Sequence, residues 1–358
     1  MMIYNRILLL FTLAVLAVYS YFAFKSPFSR NAFARSQSSL CDQNQRNIAY
    51  FVQVSSSNIH MLPTLLSVLG TDSDDILLHF DAAIDDTLLS QYHPSSTRIR
   101  LLEPRQHLTW GKISLVLNTR RAMHHMLTCC QCWTHFIAMS PSAYPLLAGI
   151  EFHRILHSRR FLSASFGQFR FNRTLNQWKN CPVEESLSVD QSSTVKGEAW
   201  FIWSRNVSEF LSGVGRNEKG QEIATEWLLK LTSFGAPDEL FAQNVLLDDR
   251  TPPSLRNEIY NDHMYFIDWE NETVHHPYNL HDVNQYWNNI EMSGAMFARK
   301  FMSPIDAKEM IDRIHSHLHS NHNHINRIIA RMQAACNLSH PACVLSRSQF
   351  QSRTYTAF

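Results

Sequence analysis

Residues 47–80 read NIAYFVQVSSSNIHMLPTLLSVLGTDSDDILLHF. The opening NIAYFVQV, residues 47–54, is an apolar run rich in β-formers, as a buried strand requires. A helical pattern follows over residues 61–69, and ILLHF at 76–80 returns to a strand. Strand, helix, strand within so short a stretch predicts the start of an α/β layer with parallel strands.

Working outward, residues 99–102 (IRLL) predict a third strand, 113–129 a helix and 136–139 (FIAM) a fourth strand. Continued alternation implies a Rossmann-like layered sheet, mostly parallel, whose ligands bind beyond the carboxyl ends of the strands. The second half is less regular. A strand is expected at 199–203, helices at 206–211, 223–231 and 238–247, a strand at 265–268, and a helical C-terminus over 304–336. No repeat or linker divides residues 47–358, so one domain is expected there.

The chain has 358 residues, 45% of them hydrophobic and 18% charged, which is ordinary globular material. Its formal net charge of +1 carries no electrostatic footprint for nucleic acid, and a neutral polyol suits it better as a partner. Residues 7–24 are eighteen residues without a charge, enough for roughly 27 Å of hydrocarbon. Arg6 precedes them, and Lys25, Arg30 and Arg35 follow, which by the positive-inside rule alone would leave the body in the cytosol. Four Asn-x-Ser/Thr sequons, at Asn172, Asn206, Asn271 and Asn337, point the other way, because each is an acceptor only in a lumenal body. Ala32-Phe33-Ala34 resembles a cleavage site but lies well past the apolar stretch, so an uncleaved signal anchor is the expectation. The resulting plan is a cytoplasmic tail at 1–6, a transmembrane helix at 7–24, a polar stem at 25–46 and a lumenal domain at 47–358.

Seven cysteines leave an odd one, with Cys129, Cys130 and Cys132 crowded together. One to three disulfides are expected, Cys336–Cys343 closing a short loop. The CCxC spacing lacks the paired knuckles of structural zinc sites, so a partly buried helix end with one disulfide partner is the expected reading. The His-rich run from His315 to His324 is read as a solvated helix that responds to a mildly acidic lumen.

Transfer of a sugar from a nucleoside diphosphate needs a base for the acceptor hydroxyl and positive charge for the departing diphosphate. Asp72-Ser73-Asp74, the one Asp-x-Asp triplet noted, precedes a strand at its amino end and is read as a solvated turn. Asp81 is better placed, directly after a strand in HFDAAIDD. Pro237-Asp238-Glu239 is expected to start a helix, where both carboxylates would stay ionised near the positive end of the dipole; a simple helix cap fits the same residues.

Several segments, in order, resemble the core-2 and I-branching β-1,6-N-acetylglucosaminyltransferases and protein O-xylosyltransferases: IAYFVQVSSSNIHMLPTLL, LLHFDAA, WGKISLV, FIAMSPSAYPLL, AWFIWSRNVSEFL, APDELFAQNVLL, YFIDWEN and MFARKF. They run over residues 48–301, about seven tenths of the chain. The resemblance implies a GT-A-like fold in a Golgi membrane, a UDP-sugar donor, a glycan or glycoprotein acceptor and no metal cofactor. It makes Glu239 the base, Asp81 and Val54 nucleoside contacts, Lys300 with Arg299 the cations against the diphosphate, and Glu151 and Trp269 acceptor contacts. Ser204-Arg205 and Trp110-Gly111 also match and are read as structural. A second basic residue of the family falls in HHPYNLHDVNQ, residues 275–285, which has no Arg or Lys. His275, His276, His281 or Arg299 substitutes, or diphosphate binding is weakened.

The implied reaction is a single inverting displacement with N-acetylglucosamine, xylose or glucuronic acid as the transferred sugar. A catalytically inactive sugar- or nucleotide-binding protein with the same fold is the alternative. A hydrolase would want two opposed carboxylates around one sugar, a pattern the spacing does not display.

Overall fold

The computed structural model describes residues 46–92, 96–169, 194–213, 218–269 and 277–339. The chain divides into Met1–Gln37 and Ser38–Phe358, and the first unit lies wholly outside the described residues. So does the anchor expected at 7–24. Among the described residues no helix is long and apolar enough to cross a membrane.

The strands in chain order are β1 (Asn47–Val54), β2 (Asp75–Phe80), β3 (Ile99–Leu101), β4 (Trp133–Met139), β5 (Ala143–Pro145), β6 (Ser165–Gly167), β7 (Phe201–Ser204), β8 (Ile259–Asn261), β9 (Tyr265–Ile267), β10 (Phe297–Arg299) and β11 (Cys336–Asn337). Eight form one sheet in the order β11-β8-β6-β7-β4-β1-β2-β3. β1 pairs parallel with both β2 and β4, and β2 parallel with β3, so the β3-β2-β1-β4 block is the doubly wound half that the sequence predicts.

β1 is apolar throughout because both of its faces are covered. Ala49 and Phe51 face a core built with the helix Ile113–Cys129, whose Val116, Met123 and Met126 meet Phe136, Phe201 and Trp203. Ile48, Tyr50, Val52 and Val54 face the opposite core, with Leu62, Leu65, Phe152, Ile325 and Ile328. The two-residue period of a strand sorts one apolar run into two cores.

The sheet is mostly parallel, as expected, with six of its eight strands running one way and β7 and β11 the other. β7 runs antiparallel to both β4 and β6, and β11 antiparallel to β8, while β6 and β8 are parallel. A second sheet, β5-β10-β9, joins the strand expected at 265–268 to two three-residue strands too short to show a period. Phe297 of β10 lies 5.1 Å from Phe152 of the helix Gly149–Leu156 and 4.9 Å from Tyr265 of β9, ring centre to ring centre, and the Tyr265 hydroxyl donates to the Ala138 carbonyl of β4 at 3.3 Å, fastening the small sheet to the larger one. The helices Gly149–Leu156 and Val283–Met292 were likewise not expected.

Three further readings are corrected. The C-terminal helix is two helices, Lys308–His317 and His322–Ala334, separated where the Asn321 side chain caps the second by accepting the Asn323 and His324 amides at 2.8 and 3.3 Å. His319 and His324 are buried, and burial pushes each down to about 4, so neither responds to mild acid. Cys129 and Cys130 are joined to each other, and Cys132 and Cys336 are also disulfide-bonded; Cys343, the partner expected for Cys336, lies outside the described residues.

Asp74 is not a solvated turn residue. It is 1% exposed, and its Oδ1 accepts the Ile48 amide at 2.7 Å and His153 Nε2 at 2.7 Å. Its Oδ2 accepts the Thr71 amide at 2.7 Å. One carboxylate thus ties the amino ends of β1 and β2 to the helix Gly149–Leu156. Asp74→Ala would leave these buried donors unpaired, at 1–3 kcal/mol for each typical group, and a loss of about 3 kcal/mol or more is expected. Urea unfolding measures it, and because the residue sits at the amino ends of the strands, UDP binding by calorimetry should persist in the folded fraction.

Candidate active site

A cleft of about 380 Å³ opens beyond the carboxyl ends of β1, β2 and β4. That is where strand order reverses about β1, the position at which doubly wound sheets bind ligands. Val54 and Ser55 from β1, Asp81 after β2, and Ser140 and Ser142 after β4 line it. Asp81 is held by its own chain: Oδ1 accepts the Ala83 amide at 2.8 Å and Oδ2 the Leu108 amide at 3.0 Å, with His107 Nδ1 at 3.4 Å. Those bonds fix the loop that carries Trp110, whose side chain lines the cleft at 67% exposure.

Asp238 and Glu239 do not begin an α-helix. Pro237–Glu239 is a separate 3-10 turn, preceded by Ala236 in the left-handed region at φ 49°, and the helix Phe241–Leu247 starts after it. The Ala236 amide donates to the Gly111 carbonyl at 3.2 Å, which ties this turn to the segment bearing Trp110. Glu239 lines the cleft, its Oε2 2.8 Å from Lys196 Nζ. The expectation that both carboxylates stay ionised fails at Asp238. Burial, then the Glu239 and Glu198 charges, push its carboxyl up to about 7, and its Oδ1 has no hydrogen-bond partner among the described residues.

Positive charge reaches the same cleft from the small sheet. Arg299 ends β10 and Lys300 follows it, joined by a cis peptide bond, and both line the cleft. The Arg299 guanidinium lies 5.0 Å from the centre of the Trp200 ring, and its Nε has no hydrogen-bond partner among the described residues. Burial lowers the pKa of both groups, and at Lys300 the neighbouring Arg299 charge adds to it. Among the residues considered for the second cation, Arg299 lines the cleft. His281 is exposed and bonds to the Asn279 carbonyl at 2.9 Å, away from the lining, while His275 and His276 lie outside the described residues.

The two residues expected to meet an acceptor part company. Trp269, two positions past β9, lines the cleft beside Pro277. Glu151 does not. The chain leaves β4 through β5 and returns along the helix Gly149–Leu156 to the amino end of the sheet, where Glu151 pairs with Arg154 Nε at 3.2 Å. Sequence reasoning also missed Lys196, Glu198 and Trp200, which come from KGEAW at 196–200, a stretch with no periodicity to single it out, and took Trp110 as structural.

Asp238 makes stability depend on pH. An unfolded aspartate loses its proton near pH 4, whereas in the fold Asp238 keeps it to about 7, so between those limits the native state holds more protons and stability falls as pH rises. Thermal melting at pH 5 and at pH 7.5 should show a decline in the wild-type chain that is smaller in Asp238→Asn.

Two comparisons bear on this arrangement. The chain is 22% identical over 303 residues to a beta-glucuronosyltransferase of Arabidopsis thaliana, a match covering 76% of this chain and 66% of that protein, so it spans just under two thirds of the relative's length. The family described as Core-2/I-Branching enzyme matches residues 48–289, which carry β1 to β4, Asp81, Glu239 and Trp269. With a match over most of its length, this chain belongs to the Core-2/I-Branching enzyme family.

Proposed function

We propose that the chain is an inverting glycosyltransferase that moves a sugar from a UDP-sugar to a hydroxyl of a glycan or glycoprotein. The observation that carries this reading is the convergence of Glu239 with Arg299 and Lys300 on one cleft at the carboxyl ends of β1, β2 and β4. Family membership and the similarity to a glucuronosyltransferase support it.

In the proposed reaction Glu239 takes the proton of the acceptor hydroxyl as its oxygen attacks the anomeric carbon. The bond from that carbon to the diphosphate oxygen breaks on the opposite face, so configuration inverts. UDP leaves with the electron pair, and Arg299 and Lys300 offset the charge that develops on it. Two cations already at the cleft support a reaction that needs no divalent metal. Asp81 and Val54 are assigned to the nucleoside. Trp269 and the exposed Trp110 offer indole faces to the CH face of an acceptor sugar. The donor is drawn from N-acetylglucosamine, xylose and glucuronic acid.

A lumenal body behind an N-terminal signal anchor is part of the same proposal, supported by the apolar residues 7–24 and the four sequons. Asn206 is exposed and accessible to modification, and Asn337 is half-buried. In secretory cells the full chain should migrate faster on a gel after enzymatic removal of N-glycans, and unchanged mobility would refute the lumenal placement.

The catalytic assignment is tested by UDP release from the three UDP-sugars with and without EDTA. Glu239→Gln should lower turnover by ~10²–10⁴-fold while UDP still binds. Activity that disappears in EDTA and returns with manganese would refute the metal-free reading.

A further inference from the structure

We infer that Lys196 is a positioning residue for this reaction: its ammonium holds Oε2 of the Glu239 carboxylate and so orients it, leaving Oε1 to receive the acceptor proton. The inference rests on the reading of Glu239 as the base.

The pair is built rather than incidental. Nζ lies 2.8 Å from Oε2, and the two side chains are 28% and 25% exposed, so the contact is sheltered without being sealed from the cleft. A solvent-exposed lysine that reaches an acid by its own flexible stem contributes little, because its rotamers must be ordered for each encounter. Here the backbone on both sides of Lys196 is already held. The Val195 amide donates to Asn244 Oδ1 at 2.9 Å, and Asn244 Nδ2 donates back to the Val195 carbonyl at 2.8 Å. On the other side the Gly197 amide donates to the Glu239 carbonyl at 2.7 Å, and Gln243 Nε2 donates to the Glu198 carbonyl at 3.2 Å. Gly197 has no room for a side chain: a Cβ there would fall 1.8 Å from the Gln168 carbonyl oxygen. Asn244 Nδ2 also reaches the Leu240 carbonyl at 2.6 Å, so one amide fastens both the segment bearing Lys196 and the residue after Glu239. Donor and acceptor of the ion pair are thus fixed to each other before the pair forms.

Glu239 has several charged neighbours. Asp238 adjoins it, and Glu198 acts on the same group of charges. Arg299 also acts on Glu239, with Lys300 beside it, but in the proposed reaction these two face the diphosphate. Lys196 is the cation in direct contact with the base, and it keeps Oε2 occupied so that a single oxygen is presented to the acceptor.

The test compares Lys196→Met, Lys196→Arg and Glu239→Gln in the full chain, reading UDP release from UDP-N-acetylglucosamine, UDP-xylose and UDP-glucuronic acid, with UDP affinity by calorimetry and thermal midpoint alongside. Lys196→Met should lose on the order of 10²-fold in kcat, with KM for the UDP-sugar and UDP affinity unchanged. Lys196→Arg should recover most of that loss. A Lys196→Met protein with wild-type kcat, or one whose loss comes with a lowered thermal midpoint and weakened UDP affinity, overturns the inference in favour of a structural role or none. If Lys196→Met does not fold, Lys196→Gln supplies the same reading without the charge. Turnover retained in Glu239→Gln would remove the base assignment and this inference with it; an inactive Glu239→Gln beside a wild-type-like Lys196→Met removes the inference alone.

Discussion

Parallel pairing of β1 with both β2 and β4 is the constraint on which the rest of the molecule depends. Parallel strands bring their carboxyl ends to one edge, and the reversal of strand order about β1 leaves a crevice there that no crossover helix fills. Val54, Asp81, Ser140 and Ser142 reach a common cleft for that reason, although they come from three separate strand ends. The opposite edge is closed by Asp74, whose buried carboxylate joins β1, the β2 turn and the helix Gly149–Leu156. One end of the sheet is therefore given to stability and the other left open for a ligand.

Charge in the cleft is arranged in the same spirit. Glu198, Asp238 and Glu239 bring carboxyl groups to the cleft, Arg299 and Lys300 bring cations, and Lys196 pairs with Glu239 at its margin. Their neighbours separate their behaviour. Asp238 is pushed up to about 7 by burial and by its acidic neighbours, whereas Glu239, one residue away, has an ammonium in contact. Two adjacent carboxyl groups thus stand in different surroundings, one buried and one against an ammonium.

The mixed half of the large sheet and the small sheet β5-β10-β9 deliver what the first parallel block lacks. β10 pairs with β5 so that Arg299 lies opposite Ala143, just past the end of β4, and its pairing with β9 sets Trp269 within the same cleft. Cationic and aromatic lining thus arrives from chain remote in sequence, carried by strands of three residues each.

The strand, helix, strand opening at residues 47–80, the helix Ile113–Cys129 and the position of Asp81 were legible in the sequence, because periodicity and strand ends are local properties of consecutive side chains. Glu239 was singled out through a resemblance carried by ordered segments rather than by spacing, and it lines the cleft. Only the tertiary structure decided that Asp74 is buried, that Glu151 lies at the far end of the sheet, and that Lys196 meets Glu239. Each of these depends on a partner distant along the chain, and the composition around a residue carries no record of what a strand crossing will bring against it. The N-terminal apolar segment remains a property of the sequence alone, since hydrophobic length is read residue by residue and needs no fold to express it.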